Sequence, residues 1–143
     1  MNIRITFLSF CLMLLSSCSF DFLDSKKKLD TRLIGVWYGS ETGQEIKDVE
    51  KKWEITRLDD GSYTIQFALY QFGKLRKSEE SGTWWTENGK YYENHDASGH
   101  TDIYKYEVMD NKHIKFVAEK MSSSMYTETY EFIDIKKTKS DHK

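Results

Sequence analysis

Along most of this chain apolar and polar residues alternate one by one over short runs, and turn signals interrupt the runs. A period of two puts successive side chains on opposite faces, the mark of strands with one buried face. Arg32 to Gly39 opens the series. Trp53, Ile55 and Arg57 then share one parity, opposite Lys52, Glu54 and Thr56. Asp59-Asp60-Gly61 reads as a tight hairpin turn, because Asp-Gly tolerates the positive φ such a turn needs. Beyond it Tyr63, Ile65, Phe67 and Leu69 share a parity, and Phe72-Gly73-Lys74 predicts the next turn. A strand carrying Gly82, Thr83, Trp84 and Trp85 leads to Glu87-Asn88-Gly89, a hairpin by the Asn-Gly preference, and to a short strand at Tyr91 and Tyr92. His95 to His100 reads as a polar loop. Tyr104, Tyr106 and Val108 alternate with Lys105 and Glu107, Asp110-Asn111 turns the chain, and Ile114, Phe116 and Ala118 follow. After Ser122-Ser123-Ser124, Tyr126, Glu128, Tyr130 and Phe132 form the closing strand, with a charged, frayed tail from Lys136.

The pattern predicts an all-β domain of about eight antiparallel strands joined mostly by hairpins. No long helical period competes with it, although residues 40–50 have room for one helical turn. An open meander leaves two unpaired edges, and closing eight strands into an up-and-down barrel removes them. The interior of such a barrel is just wide enough for side chains or one small ligand. An open sandwich is the alternative.

The N-terminus breaks the pattern. Arg4 is followed by an apolar run from Ile5 to Leu15 and then by Ser16-Ser17-Cys18. A cation, a short apolar core and small residues before a cut are the parts of a secretory signal, and the run is shorter than the roughly 20 residues a spanning helix needs. Leu15-Ser16-Ser17-Cys18 resembles the lipobox of bacterial lipoprotein precursors. That resemblance implies removal of a signal peptide at 1–17 and acylation of Cys18, with the protein held at a membrane through its lipid. Two or more acyl chains anchor a protein stably, at ~0.8 kcal/mol per buried methylene. Residues 18–30 then read as the lipidated N-terminus and a polar tether, 31–137 as the barrel domain and 138–143 as a charged tail. The lysines 26–28 are placed to touch anionic headgroups, although a solvated linker explains them better. Ser19 in place of an aspartate after the cysteine implies sorting to the outer membrane, facing the periplasm.

Cleavage would remove Arg4 and no acid, taking net charge from −2 to −3. Lysines and carboxylates are interspersed, so no basic block exists to track a phosphate backbone, and nucleic acid is excluded as an expected partner. Cys11 would leave with the signal, and a mature chain with Cys18 alone forms no internal disulfide.

Gly35-Val36-Trp37 resembles the Gly-x-Trp motif that opens the first strand of lipocalins and lipocalin-like barrels. The resemblance implies that Trp37 plugs the closed end and that Gly35 lets the chain enter over it. Lipocalins also stack a basic residue of the last strand on this tryptophan, and Lys136 is the nearest candidate. Where the family places a Thr-Asp-Tyr-type motif, between the sixth and seventh strands, this chain has Asp110-Asn111; Thr101-Asp102 lies before the sixth strand. What the family implies is binding, often of small hydrophobic molecules.

Candidate chemistry is sparse. There is no nucleophile elbow, no glycine-rich phosphate loop and no established metal-ligand spacing, so no enzymatic activity, metal or cofactor is expected. His95, Asp96, His100 and Asp102 offer imidazole and carboxylate in one loop, but a solvated loop accounts for them better. By parity Trp53, Tyr63, Phe67, Trp84, Tyr104, Tyr106, Phe116, Tyr126, Tyr130 and Phe132 face one side, with Arg57 and Glu128. Their bulk predicts a mostly filled barrel. Buried tyrosines need polar partners, which argues for a partly wet interior. The candidate ligand-binding residues are Trp53, Tyr63, Phe67, Tyr104, Tyr106, Glu128 and Tyr130. The expected function is binding of a small hydrophobic or amphipathic ligand by a lipid-anchored protein. The alternative is a structural or protein-interaction lipoprotein with a filled barrel and an envelope-protein partner.

Overall fold

A computed structural model describes residues 27–122 and 130–138. The signal and lipidation residues, Cys18 among them, lie outside the described residues, as do Tyr126 and Glu128. A 3-10 turn at Thr31–Leu33 precedes eight strands: β1 Gly35–Thr42, β2 Glu50–Arg57, β3 Ser62–Gln71, β4 Lys74–Glu87, β5 Lys90–His95, β6 Thr101–Val108, β7 His113–Lys120 and β8 Glu131–Lys136. Each strand pairs antiparallel with the next, and β8 pairs with β1, closing an up-and-down barrel.

The alternation in sequence is the alternation in burial. Trp53, Ile55 and Arg57 of β2 face inward, as do Tyr63 and Ile65 of β3, Trp84 of β4, Tyr104 of β6 and Phe116 of β7. The Phe72-Gly73 and Asn88-Gly89 turns both hold positive φ at both residues. That is the two-residue hairpin whose twist matches the strands it joins. At Phe72 the left-handed backbone is unusual for a bulky residue, and its ring is 83% exposed.

Several element boundaries differ from the pattern. β4 begins at Lys74 rather than near Gly82, because its polar first half pairs with β3 along the whole hairpin. β5 extends through His95, which pairs with Gly82. The closing strand is displaced: Glu131–Lys136 pairs with β7 at Phe116↔Phe132 and continues past it, where Tyr126–Phe132 was expected. Lys136 therefore belongs to the barrel, and Lys137 N donates to Val36 O at 2.9 Å. Residues 40–50 form no helical turn, since β1 runs through Thr42 and bends follow.

Gly35 and Trp37 open β1 at the end of the barrel where β8 joins it. Gly35 holds φ +125, which favours glycine. Trp37 is 1% exposed, donates its indole N–H to Leu33 O at 2.9 Å, and lies under the Lys136 ammonium, 5.0 Å from the ring centroid. Residues read as the end of a tether join this end. Lys28 bridges to Thr86, Leu29 packs on the core, and Asp30 caps the 3-10 turn while accepting from Tyr106 Oη at 2.9 Å.

Candidate functional site

Inside the barrel a polar chain threads the aromatic core. Arg57 (2% exposed) and Asp134 (0%) form an ion pair at 2.9 Å. Trp53 Nε1 donates to the other oxygen of Asp134, and Arg57 Nε donates to Tyr91 Oη at 3.0 Å. Tyr91 in turn donates to Glu93 Oε2 at 2.7 Å. Around this chain pack Tyr91, Phe116 and Phe132, with Phe116 stacked on Phe132 at 5.0 Å. Burial pushes the Glu93 carboxyl upward, and Arg57 opposes that shift. Removing one member of a buried ion pair leaves an uncompensated charge, at about 3–5 kcal/mol.

An interior space of about 50 Å³ is bounded by Lys51, Trp53, Arg57, Phe67, Tyr104 and Tyr130 among others. That is room for a few waters and far below the several hundred Å³ of a ligand pocket. The filled barrel follows from the bulk of the inward aromatics. Lys51 closes its mouth: the ammonium lies 5.4–5.8 Å from the Trp53, Phe67 and Tyr130 rings and is paired with Glu45.

Beside the mouth, a recess of about 360 Å³ is lined by Glu80, Glu93, His95, His100, Asp102 and Ser122, among others. His95 is the hub. Its Nδ1 lies 3.1 Å from Tyr63 Oη and 3.2 Å from Glu80, and its Nε2 lies 3.2 Å from Asp102, at ion-pair distance but poorly aligned for a hydrogen bond. Asp102 and Glu80 raise the imidazole to about 10, so it is a cation at neutral pH. Burial pushes Asp102 up, but His95 and the Ser122 amide outweigh it and hold the carboxyl below its usual range. The solvated-loop reading is corrected here. Asp102 is buried on β6 opposite Glu93, and His95 ends β5; only Asp96 to His100 form the loop.

A third recess, roomier than these two, is lateral. β1 pairs with β8 only at Trp37↔Lys136 and Tyr38↔Ile135, whereas it pairs with β2 as far as Thr42. Above Tyr38 the seam parts, and the Trp53 indole passes beneath Gly39 toward Asp134. A Cβ on Gly39 would stand 2.5 Å from that indole, so the arrangement needs glycine. Gln44 bridges the gap with its side chain, accepting from Glu131 N at 3.2 Å. The resulting groove encloses about 610 Å³ between Tyr38, Trp53, Phe132, Ile133 and Ile135, with Ser40, Gln44, Lys52, Lys115 and Glu131 among its polar residues.

The candidate ligand residues thus separate. Trp53 is shared by the groove and the interior space, Phe67 and Tyr104 by the interior space and the mouth recess, and Tyr130 borders the interior space. Tyr63 is packed against Gly82 and His95, and Tyr106 sits at the closed end on Asp30. Sequence reasoning missed Tyr38, Ile133 and Ile135, which face outward and become a site only because the seam opens. It also missed Glu93 and Asp134 and left Asp102 in a solvated loop, although each carries the parity of an inward aromatic. No protein-family model matches the chain, and a search of curated proteins finds no significant match.

Proposed function

We propose that this protein is a lipid-anchored, lipocalin-like binding module of the bacterial cell envelope, acylated at Cys18 and held at the outer membrane facing the periplasm. In this reading it takes a small amphipathic molecule and performs no chemistry on it. The observation that carries the reading is the lateral groove at the β1–β8 seam, whose 610 Å³ falls in the range of small-molecule sites. The interior space between Trp53, Arg57, Phe67 and Tyr104 holds only about 50 Å³. Tyr38, Trp53, Ile133 and Ile135 supply an apolar wall, and Lys52, Lys115 and Gln44 supply polar contacts for a head group.

Anilinonaphthalene sulfonate, an apolar ring system with an anionic head, tests the groove directly. Titration into the chain from residue 19 onward is expected to give saturable fluorescence that Ile133→Asp reduces about tenfold or more. Ile133 is 41% exposed, so the variant keeps its fold. Equal binding by Ile133→Asp, or none by the parent, contradicts the proposal.

A specific observation also favours the second reading, a protein-interaction lipoprotein. The β3–β4 hairpin projects Tyr70, Phe72 and Leu75 into solvent beside a filled barrel.

A further inference from the structure

The β3–β4 hairpin outruns the wall beside it. β4 pairs with β3 from Lys74 to Thr83, but with β5 only from Gly82 onward. Among the described residues, no strand pairs with the other edge of Lys74–Glu80. All of these residues except Glu80 are exposed. Besides the parted β1–β8 seam, the described residues thus leave a strand edge open along this hairpin, and an open edge is a template for another strand.

The phase of that edge can be read from its neighbours. Backbone groups of alternate residues in an antiparallel strand point to alternate edges. Trp84 N donates to Gly61 O on the β3 side, whereas Ser81 O accepts from Asp96 N on the β5 side. Even-numbered residues of β4 thus face β3, and Leu75, Lys77 and Glu79 turn their N–H and C=O groups to the open edge. A second strand must pair with those three.

The charges select one register. The edge reads Lys74-Leu75-Arg76-Lys77-Ser78-Glu79-Glu80, cations followed by acids. In an antiparallel copy of the same edge, Lys77 stands opposite Glu79 and Arg76 opposite Glu80, with Ser78 meeting its equivalent on the two-fold axis. The neighbouring permitted registers put Lys77 opposite Lys77, or Glu79 opposite Glu79. Opposite charges across a strand pair stabilise it and like charges oppose it. Lys74, Arg76 and Lys77 take part in none of the ion pairs seen among the described residues, whereas Glu79 accepts from Gln66 Nε2 at 3.1 Å and Glu80 lies 3.2 Å from His95 Nδ1. The cations of a second strand thus add to contacts these acids already make. We propose that a second copy of this chain docks edge to edge along Arg76–Glu80, forming a two-fold dimer. Such a contact is isologous and closes on itself, so the same charges that permit it oppose open-ended stacking.

The full-length chain, expressed in its envelope, tests this. Ser78 would lie in a non-hydrogen-bonded pair, with Cα atoms about 4.5 Å apart, a spacing a disulfide spans. Under mild oxidation, Ser78→Cys is expected to give a cross-linked band of twice the chain mass, whereas the parent and Lys105→Cys, on the outer wall of β6, do not. Sedimentation of the detergent-solubilised full chain is expected to give two protein masses per particle. Lys77→Glu should weaken that association about tenfold or more, and adding Glu79→Lys to it should restore dimers. A monomer throughout the concentration series overturns the proposal. So does association indifferent to Lys77→Glu, or a Ser78→Cys cross-link to a protein of another mass.

Discussion

His95 is a pH-sensitive side chain at the mouth of the barrel. Asp102 and Glu80 hold its imidazole charged up to about pH 10, against an ordinary value near 6.5. A cation whose folded value is raised contributes stability that is fully present below the ordinary value and lost as pH rises through the folded one. Urea melts at intervals from pH 6 to 10 are expected to show a stability gap between the parent and His95→Gln that shrinks as pH rises. A constant gap would mean that the imidazole titrates normally. The roles of such residues were only half legible. Glu93 shares the parity of Tyr91, and Asp102 that of Tyr104, but the expected strands stopped short of both, so their inward direction went unread. Alternation carries no information on which partner meets them there. Asp134 was hidden for the same reason: it lies past the expected end of its strand, yet continues the parity of Tyr130 and Phe132.

At the scale of elements, the closed end and the seam behave differently. Trp37 is enclosed by Leu33 and Lys136, and its indole N–H is satisfied. Trp37→Ala is expected to cost ~3–5 kcal/mol in urea melts, the range for a buried large aromatic. Phe72→Ala, on an exposed turn, should stay within about ±0.5 kcal/mol. An unshifted midpoint for Trp37→Ala would make the Gly-x-Trp match accidental. The strand count and the Asn-Gly turn were readable because hairpin chemistry is local. The length of β4 was not, since its Lys74–Glu80 half has no apolar alternation and becomes a strand only through β3. The seam was equally silent: nothing in β1 or β8 taken singly announces that pairing stops at Tyr38↔Ile135.

At the scale of the whole barrel, little space is left between the inward side chains of the described residues, and a roomier recess lies on the flank. Its eight large inward aromatics of β2 to β7 and the Arg57–Asp134 pair leave about 50 Å³ inside, while the parted seam leaves about 610 Å³ outside. The location of bound ligand therefore separates this account from one with an axial cavity. Amide chemical-shift mapping of the chain from residue 19 onward, titrated with anilinonaphthalene sulfonate, reads that location residue by residue. Binding at the seam predicts saturable shifts at Gly39, Ser40, Ile133 and Ile135, with Ile65, Tyr91 and Tyr104 little changed. Shifts centred on Ile65, Tyr91 and Tyr104, or the absence of any saturable shift, would contradict it.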